Sequence, residues 1–267
     1  MKKVMTAFAA MTLVLGASAC TEVDETAASA EAGSINGEWL IDVDSASFEN
    51  DNRDFVLADG KFDCNSCIPP YSTTANGEWQ SVDRPGVDSV KVEVVDDNTV
   101  KIASRLGDKD LGNSTWTVSA DGKTANTTFT DLSGDEPVNG SGSFTRTAAG
   151  PEGSHAMSGK WSSNGVDNVD EAGLKFSVNV DGDQYSSSGN GSSFTATLGG
   201  EPVAIEGSNS NVMVAVERIG DNGFRETYSR DGEELSVNEI TVSGDRLSAV
   251  STDSRDGSVV RYSARRQ

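Results

Sequence analysis

The chain has 267 residues, with 21 Lys+Arg against 42 Asp+Glu, a formal net charge of −21, one His and three Cys. A surface this acidic repels phosphate backbones and anionic headgroups, whose capture depends on Lys and Arg displacing counterions, so nucleic acid and polybasic membrane binding drop out. Apolar residues at 35%, aromatics at 6% and 28 glycines describe a turn-rich chain with a lean core and room for about two domains.

The N-terminus carries an address. Lys2 and Lys3 precede an apolar stretch from Val4 to Leu15, and Gly16, Ala17, Ser18 and Ala19 lead into Cys20. This is the pattern of a secretory signal peptide over residues 1–19, too short for a membrane span of roughly 20 residues. Ala17-Ser18-Ala19-Cys20 resembles a bacterial lipobox, which implies acylation of Cys20 and cleavage before it; an ordinary signal peptide cut after Ala19 is the alternative. Thr21, where an Asp would signal inner-membrane retention, resembles the outer-membrane sorting pattern, so the expected location is the periplasmic face of the outer membrane. Two or three acyl chains anchor stably where one is marginal. Residues 20–34 then read as the lipidated Cys and a small, acidic, flexible tether.

The remainder is written twice. Val90 to Asp121 lies over Val214 to Asp245 without a gap, with ten identities, among them Val92/Val216, Asn98/Asn222, Leu111/Leu235 and Thr117/Thr241. Upstream, one-residue slips align Gly77-Glu78 with Gly200-Glu201, and Gly37-x-Trp39 with Gly159-x-Trp161. The expected organisation is repeat one over 35–148, a linker over 149–156, and repeat two over 157–267.

Within each repeat the period is two. In Val90-Lys-Val92-Glu-Val94, Phe176-Ser-Val178-Asn-Val180, Phe224-Arg-Glu226-Thr-Tyr228 and Val260-Arg-Tyr262-Ser-Ala264, larger or apolar side chains share one face, which is the signature of half-buried antiparallel strands. Asp96-Asp97-Asn98, Asp121-Gly122, Asp181-Gly182-Asp183 and Asp231-Gly232 supply tight hairpin turns. The predicted fold class is all-β: two tandem antiparallel β units, small barrels or, with the same alternation, open β-sandwiches.

Gly37-Glu-Trp39 and Gly159-Lys-Trp161 each open a repeat, and Arg146 and Arg266 each close one, in phase with Phe144 and Tyr262. This resembles the calycin arrangement of lipocalins, and the resemblance implies a first-strand Trp packed under a last-strand Arg in each unit: Trp39, Arg146, Trp161 and Arg266 take structural roles. The T-D-Y-type turn of that family is absent. Nearly the whole chain is also similar to a group of uncharacterised two-repeat bacterial lipoproteins, through Asp59-Gly60-Lys61, Cys64-x-x-Cys67-x-Pro69-Pro70, Val94 to Val100 and Thr117 to Lys123. That likeness implies no activity.

With Cys20 set aside, Cys64 and Cys67 remain in an oxidising compartment and read as a local disulfide; a redox pair or a metal site is the alternative, although no helix start, adjacent His or spaced ligand supports one. His155 is the only histidine and falls in the predicted linker. No G-x-S-x-G, H-E-x-x-H or P-loop pattern occurs, so an enzyme is not expected, and neither is a cofactor or a metal. Trp79 has no counterpart in repeat two, where Pro202 aligns with it, and together with Tyr71 it is the candidate ligand-binding residue of a region, Cys64 to Trp79, peculiar to repeat one. The expected function is a non-catalytic, membrane-anchored lipoprotein that binds or carries a small apolar ligand. The alternative is a structural envelope protein whose barrels are packed solid.

Overall fold

The computed structural model describes residues 33–267. The expected signal peptide and Cys20 lie outside the described residues. Ten strands fall in the first part of the described chain: β1 (Gly37–Glu49), β2 (Asn52–Ala58), β3 (Lys61–Cys64), β4 (Tyr71–Thr74), β5 (Trp79–Arg84), β6 (Val87–Val94), β7 (Thr99–Leu106), β8 (Lys109–Val118), β9 (Thr124–Asp131) and β10 (Val138–Ala149). Ten more follow: β11 (Gly159–Val169), β12 (Lys175–Asp181), β13 (Gln184–Gly189), β14 (Ser192–Thr197), β15 (Val203–Ala204), β16 (Met213–Ile219), β17 (Gly223–Arg230), β18 (Glu233–Ser243), β19 (Arg246–Asp253) and β20 (Val259–Arg266). A single 3-10 turn at Glu171–Gly173 is the only helical element among the described residues.

The hairpins form where the turn chemistry places them. Asp59 and Gly60 both take positive φ (51° and 71°) between the paired residues Ala58 and Lys61, and Asp231 and Gly232 do the same (52° and 82°) between Arg230 and Glu233. Two central residues with positive φ match the right-handed twist of the strands they join.

These hairpins build two ten-stranded antiparallel sheets, each curled into a nearly closed barrel. The first runs β4, β3, β2, β11, β10, β9, β8, β7, β6, β5, and the second runs β14, β13, β12, β1, β20, β19, β18, β17, β16, β15. At the seam of the second, isolated bridges join Ser193 to Glu206 and Leu198 to Val216. At the seam of the first, Gly77 N donates to Val92 O (2.9 Å), and the Arg84 guanidinium of β5 lies 4.3 Å from the ring centroid of Tyr71 on β4.

The strand orders correct one expectation. The first strand of each repeat is built into the other repeat's barrel: β1 pairs with β12 and β20, while β11 pairs with β2 and β10. The compact units are therefore Asn50–Ala172, here barrel one, and 33–49 with Gly173–Gln267, here barrel two. The segment 149–156, expected to link two bodies, instead connects neighbouring strands inside barrel one. The physical reason lies in the repeat itself. Both repeats open on G-x-W, so each barrel presents a socket that accepts either first strand, the condition under which elements exchange.

Each interior follows the period of two. In barrel one Phe55, Leu57, Phe62, Cys64, Val90, Val92, Val100, Ile102, Trp116, Phe144 and Trp161 form one buried cluster. Full burial of a side chain of this size contributes roughly 1.5–3 kcal/mol.

Candidate binding sites in the barrel interiors

The floor of each barrel is the same small construction. Arg146 lies 4.0 Å from the Trp161 ring centroid and Arg266 lies 4.4 Å from that of Trp39. Each indole Nε1 donates, at 2.9 Å, to the carbonyl four residues earlier, Met157 for Trp161 and Ile35 for Trp39. Arg146 also donates to the carbonyls of Gly122, Ser158 and Ala156, and Arg266 to those of Asn36 and Ser34. The glycine of G-x-W makes this approach possible. Gly37 and Gly159 hold φ of 141° and 127°, and a Cβ there would come within 2.6 Å of Arg266 Nη1 and 2.8 Å of Arg146 Nη1. The four residues singled out from the sequence thus meet in two Trp–Arg pairs, but across repeats: Trp161 of repeat two under Arg146 of repeat one, and Trp39 of repeat one under Arg266 of repeat two.

Cys64 and Cys67 are joined in a disulfide, and both are buried in the core of barrel one. Tyr71 and Trp79 are not brought together. Tyr71 pairs with Cys64 and packs against the buried cluster, its ring 6.1 Å from Phe62. Burial raises its hydroxyl pKa to about 12, against the opposing pull of Arg84. Trp79 pairs with Lys91, which pairs with Ala103, so its side chain stands on the face of the sheet opposite the buried Val90, Val92 and Ile102. There Arg105 covers it, 4.3 Å from the ring centroid. Trp79 therefore does not line the interior.

Several polar atoms of barrel one are buried without a hydrogen-bond partner among the described residues: Thr73 Oγ1, Ser114 Oγ, Trp116 Nε1, and Nε and Nη2 of Arg84. By register Thr73, Ser114 and Trp116 share the inward face with Phe62, Ile102 and Val100. Arg105 Nε in barrel one, and Ser187 Oγ, Arg230 Nη2 and Asn238 Oδ1 in barrel two, are in the same condition. In barrel one Tyr71, Ala75, Val82 and Val87 are only partly buried, giving the β4/β5 seam an apolar lining that is open in part to solvent.

Barrel two has a different interior. Glu226 on β17 is fully buried, and its carboxyl accepts hydrogen bonds from Tyr185 Oη, Tyr228 Oη and Asn238 Nδ2, each at 2.8 Å. Desolvation raises the Glu226 pKa, and the three donors oppose that rise without cancelling it. Burial, followed by the neighbouring Glu226, pushes the hydroxyl pKa values of Tyr185, Tyr228 and Tyr262 upward, and Tyr185 and Tyr228 donate to the Glu226 carboxyl. The same offset that aligns the repeats places Ile102, Ser104 and Ser114 at the positions of Glu226, Tyr228 and Asn238, with the same strand partners: Val92 faces Ile102 as Val216 faces Glu226. The scaffold is shared and the interior chemistry is not. Neither Glu226 nor Arg84 was identified as a candidate from the sequence, although Glu226 stands in the inward phase of Phe224-x-Glu226-x-Tyr228, an acid where an apolar residue belongs.

His155 is held in the β10–β11 connection of barrel one: its Nδ1 accepts from Met157 N (3.0 Å) and its Nε2 lies 2.7 Å from Asp96 O. Among the described residues no three His, Cys, Asp or Glu side chains are grouped to hold a metal, and no helix is long and apolar enough to cross a membrane. Comparison with protein-family models, curated proteins and solved structures gave no match.

Proposed function

We propose that this protein is a non-catalytic lipoprotein, anchored through Cys20 at the periplasmic face of the outer membrane, that binds a small apolar ligand in barrel one. The supporting observation is the contrast between interiors. Barrel two gathers Tyr185, Tyr228 and Asn238 around the buried Glu226 carboxyl, whereas barrel one has Ile102 at that position and a partly buried apolar seam of Tyr71, Ala75, Val82 and Val87; both interiors hold unpartnered buried polar atoms, Ser187 Oγ, Asn238 Oδ1 and Arg230 Nη2 in barrel two among them. A ligand site is typically a mostly apolar concavity with a few placed polar groups, and the seam has that composition.

A structural envelope role is the second reading, favoured by the complete burial of Trp39, Trp161, Tyr185, Tyr228, Phe55 and Phe62, large side chains of the kind that fill a small barrel. Tryptophan fluorescence of the full mature chain, titrated with fatty acids, isoprenoids and haem, separates the two. Saturable quenching by one class supports the binding protein, and no response across the panel supports the scaffold.

A further inference from the structure

Each barrel is closed by a strand that the other repeat supplies, and the exchange is reciprocal. β1 lies between β12 and β20, paired with the first through residues 37–40 and with the second, past an irregularity between Asp42 and Ser47, as far as Glu49. β11 lies between β2 and β10 in the same way, paired with β2 through residues 159–162 and with β10 as far as Val169. Each exchanged strand brings a fully buried tryptophan, Trp39 into barrel two and Trp161 into barrel one, and β1 adds the buried Ile41. The segment leading into β1 is fastened to barrel two as well. Arg266 donates to the carbonyls of Ser34 and Asn36, Asn36 Nδ2 donates to Val180 O (3.0 Å), and Val180 N donates to Asn36 Oδ1 (2.7 Å). Between β10 and β11 the chain is exposed at Pro151, Glu152 and Gly153.

We infer that the socket between β12 and β20, and its counterpart between β2 and β10, is a binding surface whose partner is the first strand of the other repeat, so that the two repeats remain one assembly when the chain between them is cut at the exposed turn. Cleavage there leaves one chain ending at Glu152 and another beginning at Gly153. Neither can complete a barrel alone, because the first lacks the strand that carries Trp161 and the second lacks the strand that carries Trp39. Main-chain pairing gives such an added strand its affinity, and its alternating buried side chains fix its register. Two exchanged strands act together, because departure of one leaves the other engaged and its return is intramolecular. The chain enters barrel two through β1, so an anchor at Cys20 holds the repeat-two fragment at the membrane even after the cut. That last consequence rests on the anchor reading above, and the exchange itself does not.

The test uses the full mature chain with the recognition sequence of a site-specific protease inserted between Glu152 and Gly153, an exposed turn of the kind that tolerates insertion, cut after folding. The two fragments should co-elute in native buffer at the size of the uncut protein and separate in concentrated guanidinium chloride. Separation in native buffer overturns the inference. A crosslink distinguishes exchanged strands from two self-contained barrels that adhere. Leu40 faces Arg265 across β1 and β20, within disulfide reach of paired strands, whereas a β1 that closed its own repeat's barrel would stand where β11 does, with Leu40 in the place of Ser162 and facing Thr145. Leu40→Cys with Arg265→Cys should therefore join nearly all of the cut fragments in a band of uncut mass on a non-reducing denaturing gel, while Leu40→Cys with Thr145→Cys should keep both introduced thiols reactive to maleimide. The reverse pattern, or no crosslink in a Leu40→Cys with Arg265→Cys protein that unfolds thermally like wild type, overturns the exchange. In membranes carrying the lipidated protein, the fragment that begins at Gly153 should sediment with the membrane after cutting, and its release there overturns the inference. An uncut chain that does not sediment overturns the anchor reading alone, and the crosslink still decides the exchange.

Discussion

Glu226 is the residue whose replacement asks most of the structure. Substituting Ile, the side chain at the equivalent position of barrel one, removes the acceptor of three hydrogen bonds and strands Tyr185 Oη, Tyr228 Oη and Asn238 Nδ2 in a dry interior. Each donor left unpartnered costs about 1–3 kcal/mol, and relief of the carboxyl's own burial returns part of that, so Glu226→Ile should destabilise barrel two by on the order of 3 kcal/mol. Glu226→Gln keeps the shape and two acceptor sites and should cost about 1 kcal/mol. The pair of variants also has a pH signature. Burial raises the folded-state pKa of Glu226 above its ordinary value of 4.5. The stability linked to a raised pKa is fully present below the unfolded-state value and is lost as pH rises through the folded one, by about 1.4 kcal/mol per unit of the rise. Denaturant unfolding from pH 4 to pH 8, with Trp39 as the reporter inside barrel two, should show wild type losing ground to Glu226→Gln as pH increases. Parallel profiles across that range would refute the claim that desolvation outweighs the three donors. An Ile variant as stable as wild type would refute the claim that the network holds the barrel together.

Three further outcomes follow from the geometry. In double-mutant cycles Arg146→Ala and Trp161→Phe should couple by about 0.5–2 kcal/mol, while Arg146→Ala and Trp39→Phe should be additive; coupling to Trp39 instead would show that the first strands are not exchanged. Reduction of the Cys64–Cys67 disulfide, or Cys64→Ser with Cys67→Ser, should lower the stability of barrel one by about 2 kcal/mol, the loop-entropy value for so short a closure, with barrel two unaffected; simultaneous loss of both barrels would show that they unfold as one. Cys20→Ser should abolish labelling by radioactive palmitate and release the protein from the membrane fraction, and continued membrane association would overturn the lipid anchor.

Local rules account for much of this protein. Alternation in Val90-x-Val92 and Phe224-x-Glu226-x-Tyr228 sets strand faces, Asp59-Gly60 and Asp231-Gly232 set hairpin registers, and the spacing of Cys64 and Cys67 admits a local disulfide. Each is a property of neighbours in the chain, which is why the all-β class could be read from residue order, while the Trp–Arg floors were expected only from the calycin resemblance of the G-x-W starts and Arg-bearing last strands. Which repeat supplies each floor could not be read that way. Trp39 and Trp161 sit in matching G-x-W motifs, so Arg146 and Arg266 meet the same chemistry whichever strand arrives, and only the pairing of β1 with β20 and of β11 with β10 distinguishes the two outcomes. The sites depend on tertiary structure for a related reason. Trp79 stood out because repeat two lacks it, yet whether a side chain on β5 faces the interior depends on its register against β6, and that register turns Trp79 outward and brings Arg84 over Tyr71. A glutamate at an inward position likewise becomes tolerable only when Tyr185, Tyr228 and Asn238 converge on it from three strands, because in a low-dielectric interior an acid survives by the donors that surround it.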